Sequence, residues 1–385
     1  MSRELARSSR LELARLAGDG LDWTTFSARA GHVLRRLIPH SRACWHSVDP
    51  GTVLFTGSLN HNVTCSGSWL AEHEYVVDDV NRWWFLARSG HLVGATSLST
   101  YGDLSRSARH RSEAAYGIGD ELRAALVVDG TYWGAVGLLR EEGDPWFTES
   151  DLRLLRSLCA PLAEGFRRAL LAASVVTPQD SGDAPGVVVF DEDGRPESIS
   201  PAAERWIAEI PEIPPPPTAA ESAMVRIVAS RARSLAAGHD PLGTAARSRV
   251  QTRSGRWLLL YGTQLSGGTF GRTAVIVQPA APSEVVPLVA LAYGLSERER
   301  QVTGLCMQGR STKEIAGALH VSPYTVQDHL KSIFAKTGAR SRGELVGRIF
   351  LEHYVPRWET TPGPSPEWVG YTTQPPVGEV GGLPA

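Results

Sequence analysis

Long apolar runs and cysteines are scarce in this chain of 385 residues. The longest apolar stretch, residues 288–295, is far shorter than the ~20 residues that a transmembrane helix needs. Residues 1–21 alternate charged and apolar side chains and lack the apolar core of a signal peptide, so we expect a cytoplasmic protein without membrane contact. The four cysteines form no C-x-x-C pair, which argues against a disulfide scaffold or a structural zinc site.

Motifs for catalysis and for cofactors are missing as well. Neither a G-x-S-x-G nucleophile motif nor an H-E-x-x-H metal motif occurs. Residues 304–311 nearly match a phosphate-binding loop, but they follow a capped helix, whereas that loop needs a preceding strand. We therefore expect no enzymatic activity, no cofactor and no bound metal.

Four tryptophans in the first half of the chain are candidates for a ligand pocket. They are Trp45, Trp83, Trp84 and Trp133. A small-molecule effector would bind among them if they line a cavity. The alternative interpretation is that they are core residues, which is the commoner use of such aromatic side chains.

Acidic residues cluster between residues 72 and 79. Glu72, Glu74, Asp78 and Asp79 could hold a cation or perform acid–base chemistry. A solvated acidic face is the commoner explanation for such a cluster, and it is the one we prefer.

The first of two predicted α+β domains spans residues 1–175. Helical patterns come first, and strands follow. Asp129-Gly130 between two β-prone runs predicts a hairpin. Thr148 and Asp151 form a variant capping box, which predicts the start of a long closing helix.

The second α+β domain is predicted over residues 184–280. A short apolar strand at 186–190 precedes a turn, and residues 201–210 have the composition of a helix. Four consecutive prolines at 214–217 exclude a helix or an inner strand there. Three further strands are expected between residues 247 and 278.

An all-α module ends the ordered part of the chain. We expect a linker helix at 281–294, a four-helix domain at 295–354 and a disordered tail at 355–385, where seven prolines and five glycines occur in 31 residues. Residues 295–350 contain nine Lys and Arg against five Asp and Glu, a net charge of +4, although the whole chain has −2. This asymmetry is a modest indication of a polyanionic partner.

Start and stop signals divide this module into four helices. Ser296 with Glu299 forms a capping box, and Gly309 is placed to end that first helix. A short helix begins at Thr312. Ser322-Pro323 then supplies a capping hydroxyl and a first-turn proline for the third helix, and Ser341 starts the fourth. Two short helices joined by a tight turn predict a helix-turn-helix.

Helical spacing divides the third helix into two faces. Val326, Leu330 and Ile333 share the face that we expect to be buried. Tyr324, Asp328 and Lys331 lie roughly opposite, and Gln327 and Thr325 flank that face. This is the candidate DNA-binding surface, in which Gln327 suits adenine, Asp328 suits cytosine, and Lys331 suits guanine or a phosphate. The predicted DNA-binding residues are Thr312, Lys313, Ser322, Tyr324, Thr325, Gln327, Asp328, His329, Lys331 and Lys336.

This module resembles the LuxR-type DNA-binding domain, with matching motifs at 295–300, 309–316, 321–330 and 333–342. The resemblance implies that the third helix enters the major groove of double-stranded DNA and that the fourth, 341–354, contributes to a homodimer. Members of the family usually have Lys where this chain has Gln327, and often Val or Asn where it has Asp328. These two departures affect the base preference and reduce the positive charge of the surface.

The two α+β domains also resemble known sensor families. Residues 133–139 with the helix start at 147–152 resemble the end of a GAF domain, whereas residues 187–194 and 256–260 resemble a PAS-type domain. We therefore expect a bacterial transcription regulator in which GAF-like and PAS-like domains sense a signal or mediate dimerisation. The alternative is a signal-responsive protein-interaction regulator in which DNA binding is subordinate.

Overall fold

A computed structural model describes residues 3–172, 184–265 and 271–354. The tail predicted to be disordered, 355–385, lies outside the described residues. Across the described ranges, no helix combines the length and the apolar character that a membrane crossing requires.

The first domain combines helices with one antiparallel sheet. Its elements are α1 (Arg3–Gly18), α2 (Trp23–Leu37), β1 (Arg42–Asp49), β2 (Leu54–His61), α3 (Gly67–Tyr75), α4 (Trp83–Ser89), β3 (Val93–Ala95), α5 (Thr96–Ser99), α6 (Ala108–Glu113), β4 (Ile118–Val128), β5 (Thr131–Glu141) and α7 (Glu149–Ala172), with 3₁₀ turns at Leu104–Arg106 and Ala114–Tyr116. The strand order is β3-β4-β5-β1-β2. Helices α1 and α2 pack against α7, and together they share a core with the sheet.

The predicted hairpin and helix start of this domain are confirmed. Asp129 and Gly130 have φ values of 50° and 72°, the left-handed conformation that a two-residue turn between twisted strands requires. At the start of α7, Thr148 Oγ1 accepts the Asp151 backbone N–H at 3.3 Å, and Asp151 Oδ2 accepts the Thr148 backbone N–H at 2.9 Å. Both signals are local, which is why the sequence displays them.

The second domain repeats the strand order of the first. Its elements are β6 (Gly186–Phe190), β7 (Pro196–Ile199), α8 (Pro201–Ala208), β8 (Glu212–Ile213), a 3₁₀ turn (Ala219–Glu221), α9 (Ala223–Ala236), β9 (Arg247–Gln251), β10 (Trp257–Gln264) and β11 (Thr273–Pro279). The sheet order is β7-β6-β11-β10-β9. The two-residue β8 is not part of this sheet. If the other strands of each domain are numbered along the chain, both sheets place them in the order second, first, fifth, fourth, third.

Helix α9 is not among the elements that the sequence predicts. Ten of its fourteen residues are buried, since α3 packs on it from one side and β10 and β11 from the other. Even Arg226 and Arg231 are buried, with Arg231 Nε donating to the Thr244 carbonyl at 3.1 Å. Arg226, Ser230 and Arg233 recur at helical spacing in α9, so the sequence carries an amphipathic signal for this helix that the prediction does not use.

The two α+β domains share a hydrophobic core. Strand β8 leaves the second domain to pair in parallel with β2, so that Ser58 lies opposite Glu212. Nearby, the buried Asp49 carboxylate accepts from Arg249 Nε at 2.9 Å and from Arg249 Nη2 at 2.5 Å. One apolar cluster contains Phe55 from the first domain and Met224 from the second.

Helix α10 (Pro282–Ala292) occupies the predicted linker and touches two cores. Val285, Leu288 and Val289 are buried in the cluster that contains α7, whereas Ala290 is buried with Leu295 in the core of the C-terminal bundle. The bundle consists of α11 (Glu297–Met307), α12 (Thr312–Leu319), α13 (Pro323–Thr337) and α14 (Arg342–Tyr354). The four helices predicted there are therefore present in the structure.

Candidate nucleic-acid interface

Side-chain caps fix where the bundle helices begin. Ser296 and Glu299 form a complete capping box at α11, and Ser311 and Glu314 form a second one at α12. At α13, Ser322 Oγ accepts the Thr325 backbone N–H at 3.0 Å, and Pro323 occupies the first turn. Each cap satisfies a backbone donor that a helix start leaves unpaired.

A tight turn joins α12 to α13. His320 ends α12 with a left-handed φ of 53°, and the Val321 backbone N–H donates to the Ala316 carbonyl at 3.0 Å. The turn brings Ile315 of α12 and Val326 of α13 into one buried cluster. These two helices therefore have helix-turn-helix geometry, as the sequence predicts.

The faces of α13 lie as predicted. Val326, Leu330 and Ile333 are buried. On the other side, Tyr324 is 73% exposed, and Gln327, Asp328 and Lys331 are exposed as well. This leaves a polar strip on α13 uncovered within the described part of the chain.

Three helices converge beside this strip. Gln327 Nε2 donates to Thr312 Oγ1 at 3.4 Å, which links α13 to the start of α12. Arg342, at the start of α14, donates to the same hydroxyl at 3.1 Å and to the Arg310 carbonyl at 2.9 Å. Arg342 was not among the predicted DNA-binding residues. The closely spaced Arg340 and Arg342, directly before the fourth helix, are the signal that would have indicated it.

The remaining predicted residues flank the strip. Lys313 is exposed at the start of α12, and no ion pair of its side chain occurs among the described residues. Ser322 and Thr325 share a hydrogen bond between their hydroxyls at 2.9 Å. His329 is half-buried. The cap at Ser322 thus fixes the first turn of α13, from which the strip begins.

Lys336 has a different environment from the other predicted residues. Its Nζ donates to Glu299 Oε2 at 2.7 Å and to the Gly294 carbonyl at 3.1 Å. Glu299 also accepts from Ser332 Oγ at 2.6 Å. Burial raises the pKa of the Glu299 carboxyl, but the hydrogen bonds from Lys336, Ser332 and Ser296 outweigh that effect and lower it to about 2. Lys336 thus ties α13 to α11 within the protein.

Acidic side chains moderate the positive charge of the strip. Lys331 Nζ lies 3.6 Å from Asp328 Oδ1, and both side chains are at least half exposed. Arg310 and Glu314 form a similar exposed pair at 3.5 Å. Exposed pairs of this kind are weak, of the order of 0–1 kcal/mol, so either cation can exchange its partner for a phosphate.

The four candidate tryptophans do not line one pocket. All four are buried, but Trp45 and Trp133 belong to the cluster around α7, whereas Trp83 and Trp84 belong to the cluster shared with the second domain. The indole N–H groups of Trp83 and Trp84 donate to the carbonyls of Val136 at 3.1 Å and of Glu74 at 3.0 Å. Trp133 lines a cavity that it shares with residues of the second domain.

The acidic cluster at 72–79 is only partly a solvated face, so the prediction was wrong for two of its members. Asp78 is exposed, but Glu74 is 1% exposed and pairs with Arg123 at 3.1 Å. The Asp79 side chain is 1% exposed, and its Oδ2 accepts the Arg109 backbone N–H at 2.7 Å. Arginines far away in the sequence supply the countercharge, which the local sequence does not reveal.

Comparison with known proteins gives a family for the C-terminal module. The model of a family described as "Bacterial regulatory proteins, luxR family" matches residues 294–348. The spore germination protein GerE of Bacillus subtilis is 40% identical over 52 residues, which cover 14% of this chain and 70% of GerE. The monoamine regulon transcriptional regulator of Klebsiella aerogenes is 39% identical over 79 residues, which cover 17% of this chain and 35% of the regulator.

The remainder of the chain has more distant similarity. The chain spans only about a third of the length of relatives such as the Klebsiella regulator. Among solved structures, the phycoerythrobilin-bound GAF domain of a cyanobacterial phytochrome covers 43% of this chain and 96% of its own, at 11% identity and a TM-score of 0.32. At that score, the GAF-like and PAS-like assignments stay predictions.

Proposed function

Because the chain belongs to the LuxR family of bacterial regulatory proteins, we propose that it regulates transcription by inserting α13 into the major groove of operator DNA. The observation that carries this proposal is the uncovered polar strip of α13, beside which the starts of α12 and α14 converge. Base contacts come from Gln327, Asp328 and Lys331, whose side chains suit adenine, cytosine and guanine.

Phosphate contacts come from the groups that surround the strip. Lys313, Thr312 and Arg342 lie at or near helix starts, where backbone N–H groups and the helix dipole also favour an anion. Thr325 and His329 flank the strip on α13. Lys336 is excluded from this set, since its ammonium group is bound to Glu299.

The chain acts as a homodimer in this proposal. Two copies of α13 then contact half-sites about one helical turn, roughly 34 Å, apart. The α+β domains, GAF-like and PAS-like, sense a signal or mediate dimerisation, and α10 connects them to the bundle. Its packing on both α7 and α14 supports a role in transmitting a change.

Selection of bound sequences from a random duplex pool tests the proposal, with the full-length chain at two salt concentrations. We expect an enriched, two-fold symmetric site and an affinity that falls steeply with salt. Gln327→Ala should relax the preference at one position in each half-site and leave the other positions unchanged. Weak binding without any enriched sequence would contradict a sequence-specific regulator.

A further inference from the structure

A cavity lies where the two α+β domains meet α10. Its walls come from α2, β1, β2, β5 and α7 of the first domain, from β9 and β10 of the second, and from Leu288 of α10. It is small and partly open to solvent. Both domains and the helix that leads to the DNA-binding bundle therefore border one space.

Three hydrogen-bond donors of residues that line this cavity have no protein partner within residues 3–172, 184–265 and 271–354. They are the indole N–H groups of Trp133 and Trp257 and the Nε2 amide of Gln251. The two indole side chains are 3% and 7% exposed, so solvent does not reach them freely. Buried donors normally have an acceptor, so three that lack a protein acceptor around a single cavity call for an acceptor inside it, either water or a bound molecule.

The remaining lining defines the chemistry of that molecule. Trp23, Trp133, Phe166 and Trp257 provide flat aromatic walls. The Arg249 guanidinium also borders the cavity, but it is already paired with the Asp49 carboxylate. Ser47 and Thr56 hydrogen bond to each other at 2.7 Å. The donors that remain unpaired are neutral, which favours a neutral ligand.

We propose that this cavity binds a small, neutral aromatic molecule that carries carbonyl or ring-nitrogen acceptors and no obligatory charge. The ring packs between the aromatic walls, and its acceptors take the N–H groups of Trp133, Trp257 and Gln251. The site differs from the set of tryptophans that the sequence suggested, because Trp257 and Gln251 come from the second domain.

Residues beside this cavity form hydrogen bonds and an ion pair with α10. Arg249 Nη1 donates to the Glu284 carbonyl at 2.9 Å, and Arg247 pairs with the Glu284 carboxylate at 3.1 Å. At the other end of α10, Arg167 Nη1 of α7 donates to the Ala292 carbonyl at 2.7 Å. A ligand against Leu288 and beside Arg249 therefore acts on the helix whose Ala290 is buried in the bundle core. The coupling of the cavity to the bundle rests on the proposed function, whereas the binding site itself does not.

Two matched probes test the site in the full-length chain. Coumarin offers a flat two-ring outline with a carbonyl acceptor, and naphthalene has the same outline without one. With ¹⁵N-labelled tryptophan, coumarin should shift the indole N–H resonances of Trp133 and Trp257 and bind about tenfold more tightly than naphthalene. The Trp83 resonance should not move, since its N–H already donates to Val136.

Two variants separate hydrogen bonding from packing. Trp257→Phe keeps an aromatic wall and removes one donor, so coumarin should bind about fivefold or more weakly while naphthalene is unaffected. Gln251→Leu is the second variant and carries the same expectation if Trp257→Phe lowers the melting temperature strongly. If coumarin at millimolar concentration shifts neither resonance, or binds no better than naphthalene, the proposed site is wrong.

Operator affinity measured with and without saturating coumarin tests the connection to α10. A change of several-fold supports it. Binding of coumarin without any change in operator affinity would reject the coupling and leave the site intact. Absence of sequence-specific binding under both conditions would instead contradict the proposed function.

Discussion

The first α+β domain and the C-terminal bundle use charge in opposite ways. In the domain, Arg109 and Arg123 are almost completely buried and are paired with Glu74 and Glu121. In the bundle, the Lys331 side chain is 76% exposed and forms an ion pair with Asp328, whose side chain is itself half exposed. Charges that satisfy one another inside a protein maintain its structure, whereas charges left at the surface remain available to a partner.

Removal of a buried cation should have the largest effect on the free energy of unfolding. Arg123→Met should leave the Glu74 carboxylate without its paired cation and Glu121 with Arg109 alone, and it should destabilise the chain by about 3–5 kcal/mol. Lys331→Met is the matched surface control and should change the free energy of unfolding by no more than about 0.5 kcal/mol. Chemical denaturation measures both. Equal effects of the two substitutions would mean that the network contributes nothing specific.

The pH dependence of stability provides a second contrast. Burial, followed by the nearby Glu121 charge, raises the pKa of the Glu113 carboxyl to about 8. The folded chain therefore keeps a proton that the unfolded chain releases near its ordinary pKa of 4.5. The stabilisation is complete below pH 4.5 and is lost progressively as the pH rises through about 8.

The melting temperature should consequently fall between pH 5 and pH 9. The melting temperature of the Glu113→Gln variant, whose side chain cannot ionise, should fall less over the same range. The check is thermal unfolding followed across that range for both proteins. Parallel curves would show that Glu113 is already ionised in the folded chain at neutral pH.

Two lysines of α13 should have different roles within the bundle. Lys331→Ala should weaken operator binding and lower the slope of log affinity against log salt by about one unit if the contact is to a phosphate, with little change in stability. Lys336→Ala should instead destabilise the bundle, since Glu299 loses its partner, and should leave the salt slope nearly unchanged. Titrations at several salt concentrations, paired with thermal unfolding, distinguish the two. A reversed pattern would place Lys336 in the interface and Lys331 outside it.

The smallest expected effect is a gain in affinity for DNA. Asp328→Asn removes a negative charge from the strip and frees Lys331 from its 3.6 Å pair. Binding to random duplex DNA should strengthen about twofold, in keeping with the small energy of an exposed pair. Glu314→Gln is a matched change at the other exposed pair. Weaker non-specific binding of Asp328→Asn would show that Asp328 does not oppose the phosphates.

The bundle could be predicted almost to the residue, because its determinants are local. Ser296 with Glu299, Ser322-Pro323 and Gly338 mark helix ends within a few residues of the backbone groups that they satisfy. The role of Lys336 could not be predicted, because Glu299 lies 37 positions away in the chain. In the sequence, a lysine at position 336 on a basic helix is compatible with either a phosphate or a protein partner.

The α+β domains could be predicted only in outline. The hairpin at Asp129-Gly130 and the strand at 186–190 follow from turn residues and apolar runs. By contrast, α9 is not predicted, although Arg226, Ser230 and Arg233 recur in it at helical spacing. The cavity could not be anticipated either, since Trp133 and Trp257 are brought together only by the packing of the two domains.

The short strand β8 has a consequence for how the chain avoids self-association. A sheet edge offers unpaired N–H and C=O groups to any other extended segment, and β2 would present such an edge. Strand β8 pairs with it at Ser58 and Leu59, and four prolines that cannot extend a ladder follow directly. A fragment that stops at residue 175 would bare this edge and part of the shared core, so we expect it to aggregate where the piece ending near residue 280 stays dispersed.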